Sequence, residues 1–176
     1  MRRFVQSSSI ILLGMLVLSS CAPPPYQPWL DAHNKYRCMH GVSPLQWDTQ
    51  LADVAAWRTA NCTNCDHCKC QGASCDPIFA KQYAENATCW SATPKDAVDA
   101  WYSEEKNYDY NNPQWTNNTG HFINVVVSSA TKVGCACNTT HCYCDYDSLY
   151  GTTAAALKAQ VFPPVKTEAE CTNPAP

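Results

Sequence analysis

Apolar positions recur at helical spacing in the first part of the chain and gather into short continuous runs in the last part. Leu30, His33, Asn34 and Arg37 predict a first helix over Trp29 to Met39, stopped at Gly41. Ser43-Pro44 reads as a turn. Asp48 then suits an N-cap, and Leu51, Val54, Ala55 and Arg58 recur at helical spacing up to about Cys62. Cys62 to Cys75 shows no period and reads as a stapled loop, and Tyr83 to Cys89 as a short strand. Thr93 followed by Pro94 opens a third helix, with Ala97, Val98, Trp101, Glu104 and Tyr108 along one stripe.

Residues 109–120 are rich in Asn, Gly and Pro and read as a loop. Phe122 to Ser128 is apolar and β-branched, which predicts a buried strand. Lys132 to Asn138 and Cys142 to Asp147 read as two more strands, joined by the polar turn Asn138-Thr139-Thr140. Helices first and a β-meander last predict an α+β fold, a three-layer α/β/α sandwich around a central antiparallel sheet. The tail from Ser148 reads as loosely ordered, with Cys171 as the residue to pin it back.

The N-terminus changes the picture. Arg2 and Arg3 precede an apolar run from Ile10 to Leu18, too short for a mature membrane span, and this reads as an export signal over residues 1–20. Leu18-Ser19-Ser20-Cys21 also fits a bacterial lipobox, which would anchor the chain by a lipid on Cys21; the alternative is ordinary cleavage near Ser20. Residues 21–28 are a Pro-rich spacer, 29–150 the domain and 151–176 the tail. No other segment is apolar enough to cross a membrane.

Thirteen cysteines in 176 residues agree with export. Twelve lie beyond Cys21, enough for six disulfides whose pairing the sequence leaves open. The rival is zinc held by Cys62, Cys65, Cys68 and Cys70 around His67; an oxidising compartment favours disulfides over thiolate ligands. The sequons at Asn61, Asn86, Asn117 and Asn138 lean towards a eukaryotic secretory route and a glycoprotein. With a formal charge of −3 and no Lys/Arg-rich run, a nucleic-acid partner is not expected.

Several stretches, in order, resemble one family. His33-Asn34-Lys35-Tyr36-Arg37 is similar to its H-N-x-x-R signature, and Pro44-Leu45-Gln46-Trp47 to P-L-x-W. Tyr83-Ala84-Glu85-Asn86 resembles G-E-N with Ala84 for Gly. Trp101-Tyr102-Ser103-Glu104 with Tyr108-Asp109-Tyr110 resembles W-Y-x-E-x-x-x-Y-D-Y. Gly120-His121-Phe122 through Val133-Gly134-Cys135-Ala136 resembles the segment from G-H-[FY] to V-G-C-A, and Cys144-Asp145-Tyr146 resembles C-N-Y. The family is the CAP superfamily of cysteine-rich secretory proteins, insect venom antigens and plant pathogenesis-related proteins. The chain departs from it at Ile123-Asn124 and Val127, where the family has Thr-Gln and Trp, and at Asp147-Ser148-Leu149-Tyr150, where it has P-P-G-N.

The resemblance implies a cleft with two His and two Glu, here Glu85, Glu104, His121 and, in the expanded loop, His67. Such a set can hold a divalent cation, zinc or magnesium, or trap a water between general bases. The plainer alternative is that these groups satisfy one another, His121 being a partner for Glu104 on an otherwise core-like stripe. The resemblance also places His33 with Asn34 and Arg37 in a buried packing network; His40 and His141 carry no signal beyond a surface loop. No G-x-S-x-G or H-E-x-x-H motif is present, so no catalytic residue is named. Tyr108, Tyr110 and Trp115 match the aromatic loop of sterol-binding members, which implies a small lipid or sterol as ligand. The alternative for Tyr108 is packing in the core. The expectation is therefore a secreted binding protein. Its rivals are a metal-dependent hydrolase using the His/Glu set and a Cys-rich module that binds extracellular proteins.

Overall fold

The structure, a computed structural model, describes residues 24–63, 65–90 and 92–172. The export signal and the first part of the Pro-rich spacer, residues 21–23 with Cys21, lie outside the described residues. The elements in chain order are α1 (Gln27–Met39), β1 (Gln46–Trp47), α2 (Thr49–Asn61), α3 (Pro77–Ala80), β2 (Ala84–Thr88), α4 (Pro94–Tyr102), a 3-10 turn (Ser103–Asn107), α5 (Gly120–Val126), β3 (Lys132–Cys137), β4 (Cys142–Tyr146), α6 (Ala154–Lys158) and α7 (Glu168–Thr172).

The sheet runs β1-β3-β4-β2. β4 pairs antiparallel with both neighbours, and the two-residue β1 joins the edge in parallel. β4 explains the layering. Its Cys142, Cys144 and Tyr146 join the main core with α1, α4 and α5, while Tyr143 packs with Ala55 of α2 and Asp145 bonds Arg58 of α2. All five β4 residues are buried, as expected for a strand covered on both faces. The α/β/α sandwich is present.

α2 starts where the sequence placed it. Asp48 accepts the N–H groups of Gln50 and Leu51 at 2.9 and 3.1 Å, satisfying two of the free donors at the helix start. Gly134 lets β3 touch this helix: a methyl group there would collide with the backbone of Leu51 and Ala52.

Four expectations need correction. Phe122 to Ser128 is not a strand, since Gly120–Val126 is helix α5. Six of its seven residues are buried, so no polar face interrupts the apolar run and periodicity carries no signal. Tertiary partners at both ends hold it. Glu104 accepts the first N–H groups, and the buried Arg37 guanidinium donates to the carbonyls of Val125 and Val127 at 3.1 and 3.0 Å. Arg37 also reaches Ala130 O and Ser43 O, both at 2.8 Å.

The tail is not loose. Leu157 and Val161 enter the core, Val165 N donates to Met39 O at 2.7 Å, and Cys171 is bonded to Cys38. His40 is not a surface residue either. It is buried, with Nδ1 donating to Phe162 O at 2.6 Å and Nε2 facing the Tyr102 hydroxyl at 2.9 Å, so it fastens that tail to the end of α4. The stripe expected through Tyr108 also breaks at Ser103, where the α-helix tightens into the 3-10 turn that carries Glu104.

The cysteines form disulfides: Cys38–Cys171, Cys62–Cys68, Cys65–Cys89, Cys70–Cys75, Cys135–Cys144 and Cys137–Cys142. The 62–75 stretch is a stapled loop, and none of its cysteines remains as a thiolate for zinc.

Candidate functional site

The cleft opens where β2, the start of α5 and the stapled loop meet. Arg58, His67, Lys69, Glu85, Trp115, Asn124, Leu149 and Tyr150 line a hollow of about 360 Å3. His67, Glu85, Trp115 and Asn124 also border a recess of about 190 Å3 that His121 and Gly120 complete.

Glu85 comes from β2 and is buried. One carboxylate oxygen takes the Arg58 guanidinium, and the other takes Nδ1 of His67. Arg58 turns a second edge to Asp145 of β4, with Nη2 3.2 Å from Oδ1. The floor is thus one buried cation between two buried carboxylates. Burial and the Glu85 charge push the Asp145 carboxyl above the ordinary carboxylate range, against the pull of Arg58. The Glu85 hydrogen bond raises the His67 imidazole, against its burial.

Glu104 and His121 form the second pair. The His121 ring donates Nδ1–H to Glu104 Oε1 at 2.7 Å, and the His121 backbone N–H donates to Oε2 at 2.9 Å. His121 borders the recess; Glu104 stands behind it. The four residues therefore meet as two His–Glu pairs along one cleft. Among the described residues no three His, Cys, Asp or Glu side chains come close enough to hold one metal ion. In both pairs Nδ1 is engaged by the carboxylate, and Nε2 has no hydrogen-bond partner among the described residues.

The aromatic residues separate. Tyr108 is buried, ring centroid 5.2 Å from Phe122, and Tyr110 turns inward beside it with its hydroxyl donating to Glu105 at 2.9 Å. Burial raises both phenols, Tyr108 to about 12. Trp115 alone presents its face, 47% exposed, and it lines both parts of the cleft. Its indole lies over Gly120, where an added Cβ would sit 3.1 Å from Nε1. The aromatic loop and the His/Glu cleft are one place, not two.

A buried polar chain backs this wall. His33 donates Nδ1–H to Trp29 O at 2.8 Å, so Nε2 accepts the Tyr146 hydroxyl at 2.9 Å. The Tyr146 oxygen accepts Asn86 Nδ2–H at 3.2 Å, Asn86 Oδ1 accepts Asn124 Nδ2–H at 2.8 Å, and Asn124 Oδ1 accepts the Tyr150 hydroxyl. Burial holds His33 neutral, down to about 4.

Sequence reasoning missed Arg58, Asp145, Asn124, Leu149 and Tyr150 as cleft residues. Arg58 stood on an apolar helix stripe, itself a signal, because a charge there needs a buried partner. Asn124, Leu149 and Tyr150 fall at the departures from the family pattern, and Asp145 stands where the C-N-Y pattern has Asn.

The family model described as the Cysteine-rich secretory protein family (CAP) matches residues 30–151. Pathogenesis-related protein 1A of Nicotiana tabacum is 33% identical over 135 residues, covering 73% of this chain and 75% of that protein. Repressed by EFG1 protein 1 of Candida albicans is 36% identical over 111 residues, 61% of this chain, and the match spans 37% of that relative's length. The hookworm platelet inhibitor has a similar fold, with a TM-score of 0.55 at 22% identity, covering 72% of this chain and 70% of the other. So does NaASP2, solved with Zn2+, with a TM-score of 0.52 at 16% identity over 83% and 87%. No helix among the described residues is long and apolar enough to cross a membrane. The chain belongs to the cysteine-rich secretory protein, or CAP, family.

Proposed function

We propose that this is an exported binding protein that takes a small lipid, a sterol being the leading ligand, in the cleft beside Trp115. The reading rests on one observation. Trp115 and Leu149 are large apolar side chains, 47% and 64% exposed, and both border the cleft. A rigid hydrocarbon face laid on the indole removes both surfaces from water without ordering many rotors. Covering about 60 Å2 of indole contributes about 1.5 kcal/mol, or roughly tenfold in affinity. Tyr108 and Tyr110 shape the loop from behind and leave ligand contact to Trp115.

Binding of a fluorescent sterol to the wild-type chain and to Trp115→Ala tests this. Affinity is expected to fall about tenfold in the variant with the melting temperature unchanged. Absent binding by the wild type, or equal affinity in the two chains, refutes it.

The two carboxylate-oriented imidazoles support a second reading, a divalent cation in the same cleft. Metal-bound His commonly donates its other ring N–H to a carboxylate. His67 and His121 would be the protein ligands through Nε2, and Glu85 and Glu104 would orient them. A bound cation would supply a Lewis-acid centre. Zinc is the ion to try first, because NaASP2, of similar fold, was solved with it. Calorimetric titration of zinc into wild type and His121→Ala decides: a site lost in the variant supports the reading, and no heat in either overturns it.

A further inference from the structure

We infer that Asn117 carries an N-linked glycan at the mouth of the cleft; the inference rests on the proposed export of the chain. The fold treats the four sequons differently. Asn86 is fully buried, and its Nδ2 donates to His121 O at 3.0 Å and to the Tyr146 hydroxyl. A sugar there would separate α5 from the sheet. Asn61 ends α2 with Nδ2 donating to Trp57 O at 2.7 Å, and the next residue, Cys62, is buried and bonded to Cys68. Asn138 donates to Thr59 O at 2.7 Å and accepts the N–H groups of Thr140 and His141 at 2.8 and 2.9 Å, so its side chain is the clamp of the β3–β4 turn.

Asn117 is unlike these. It is exposed in the turn that leads into α5 and makes no hydrogen bond among the described residues. It borders the recess with His67, Glu85, Trp115 and His121. A bulky, hydrated sugar is at home on such a loop, and its first residue would stand over the recess.

The sequon's hydroxyl sets the timing. Thr119 is buried, its Oγ1 donating to Gln114 O at 2.9 Å and accepting the Thr116 N–H at 2.9 Å. A transferase that reads this hydroxyl must act before α5 docks. Asn117 Nδ2 then displaces lipid pyrophosphate from C1 of a lipid-linked oligosaccharide. The N–C1 bond forms, the C1–O bond breaks, the pyrophosphate leaves with the bonding pair, and one amide proton passes to a base of the transferase. The consequence is a cleft screened from large partners and open to small ones.

The full chain is expressed in a glycosylating eukaryotic host, once with its own leader and once with the host's. Protein from the medium is treated with peptide-N-glycosidase in heavy-oxygen water, which marks each formerly glycosylated asparagine as a labelled aspartate. The expected result is a mark at Asn117 in most of the protein and none at Asn86. Asn117→Gln is expected to reach the medium one glycan lighter, with His121 reacting severalfold faster with diethyl pyrocarbonate. An unmarked Asn117 in protein from the medium overturns the site, and equal His121 reactivity overturns the screening. Export by the host's leader alone counts against the export reading, and the glycan is then judged on that second sample.

Discussion

Glu104 and His121 are joined twice: the carboxylate accepts the imidazole N–H at 2.7 Å and the backbone N–H of the same residue at 2.9 Å. One side chain thus starts helix α5 and aims the ring that borders the recess. Glu104→Ala removes both, and Oε2 no longer accepts the Phe122 N–H at 3.3 Å. A loss of about 2 kcal/mol is expected by urea unfolding, with about half of it for Glu104→Gln, which keeps an acceptor. Equal stability of the Gln and Ala variants would show that the acceptor geometry does not matter.

Arg37 is the matching device at the other end of the helix. It is buried and donates to four carbonyls, with no carboxylate among its hydrogen-bond partners in the described residues. Its truncation leaves several buried acceptors unmet, so Arg37→Ala is expected to fold with a loss of more than about 3 kcal/mol. Arg37→Lys cannot span the same fork and is expected to fold with a loss of about 2 kcal/mol. A thermal unfolding scan of the two variants measures this.

How much of this was legible in the sequence depends on what made each element. α2 was legible because Asp48 is its own start signal. The helix α5 was not, because what makes Gly120–Val126 helical lies at Arg37 and Glu104, far away in the chain. The site divides the same way. His121, Glu85 and Glu104 were readable from motifs. The Arg58–Asp145 contact joins residues 87 positions apart, and only the pairing of α2 with β4 brings them together.

His33 gives the protein an acid limit. Its folded pKa is about 4, below the ordinary 6.5, because burial disfavours the charged ring. The unfolded chain binds the proton first, so the contribution is complete above pH 6.5 and is lost as pH falls towards 4. A shift of this size corresponds to about 3 kcal/mol. Denaturant midpoints should fall across that window in the wild type and be flatter in His33→Gln, which keeps a polar side chain without titrating. Parallel pH profiles would remove His33 as the source.

Gly134 tests the contact between the sheet and α2. Gly134→Ala forces a methyl group against the backbone of Leu51 and Ala52, which cannot rotate away. A destabilisation of about 3 kcal/mol is expected, seen as a melting temperature lower by about 6–12 °C. An unchanged melting temperature would mean that β3 and α2 can part without cost.

The Cys38–Cys171 bond has a consequence for synthesis. Cys38 precedes the other ten paired cysteines and Cys171 follows them, a separation of 133 residues. Cys62–Cys68 and Cys70–Cys75 can close as soon as a few more residues emerge. Cys38 must instead wait as a thiol while every competing cysteine passes by. Correct pairing of the first cysteine therefore depends on the order in which packing and oxidation occur, and an isomerase that resolves mixed disulfides is the folding helper such a long-range bond calls for.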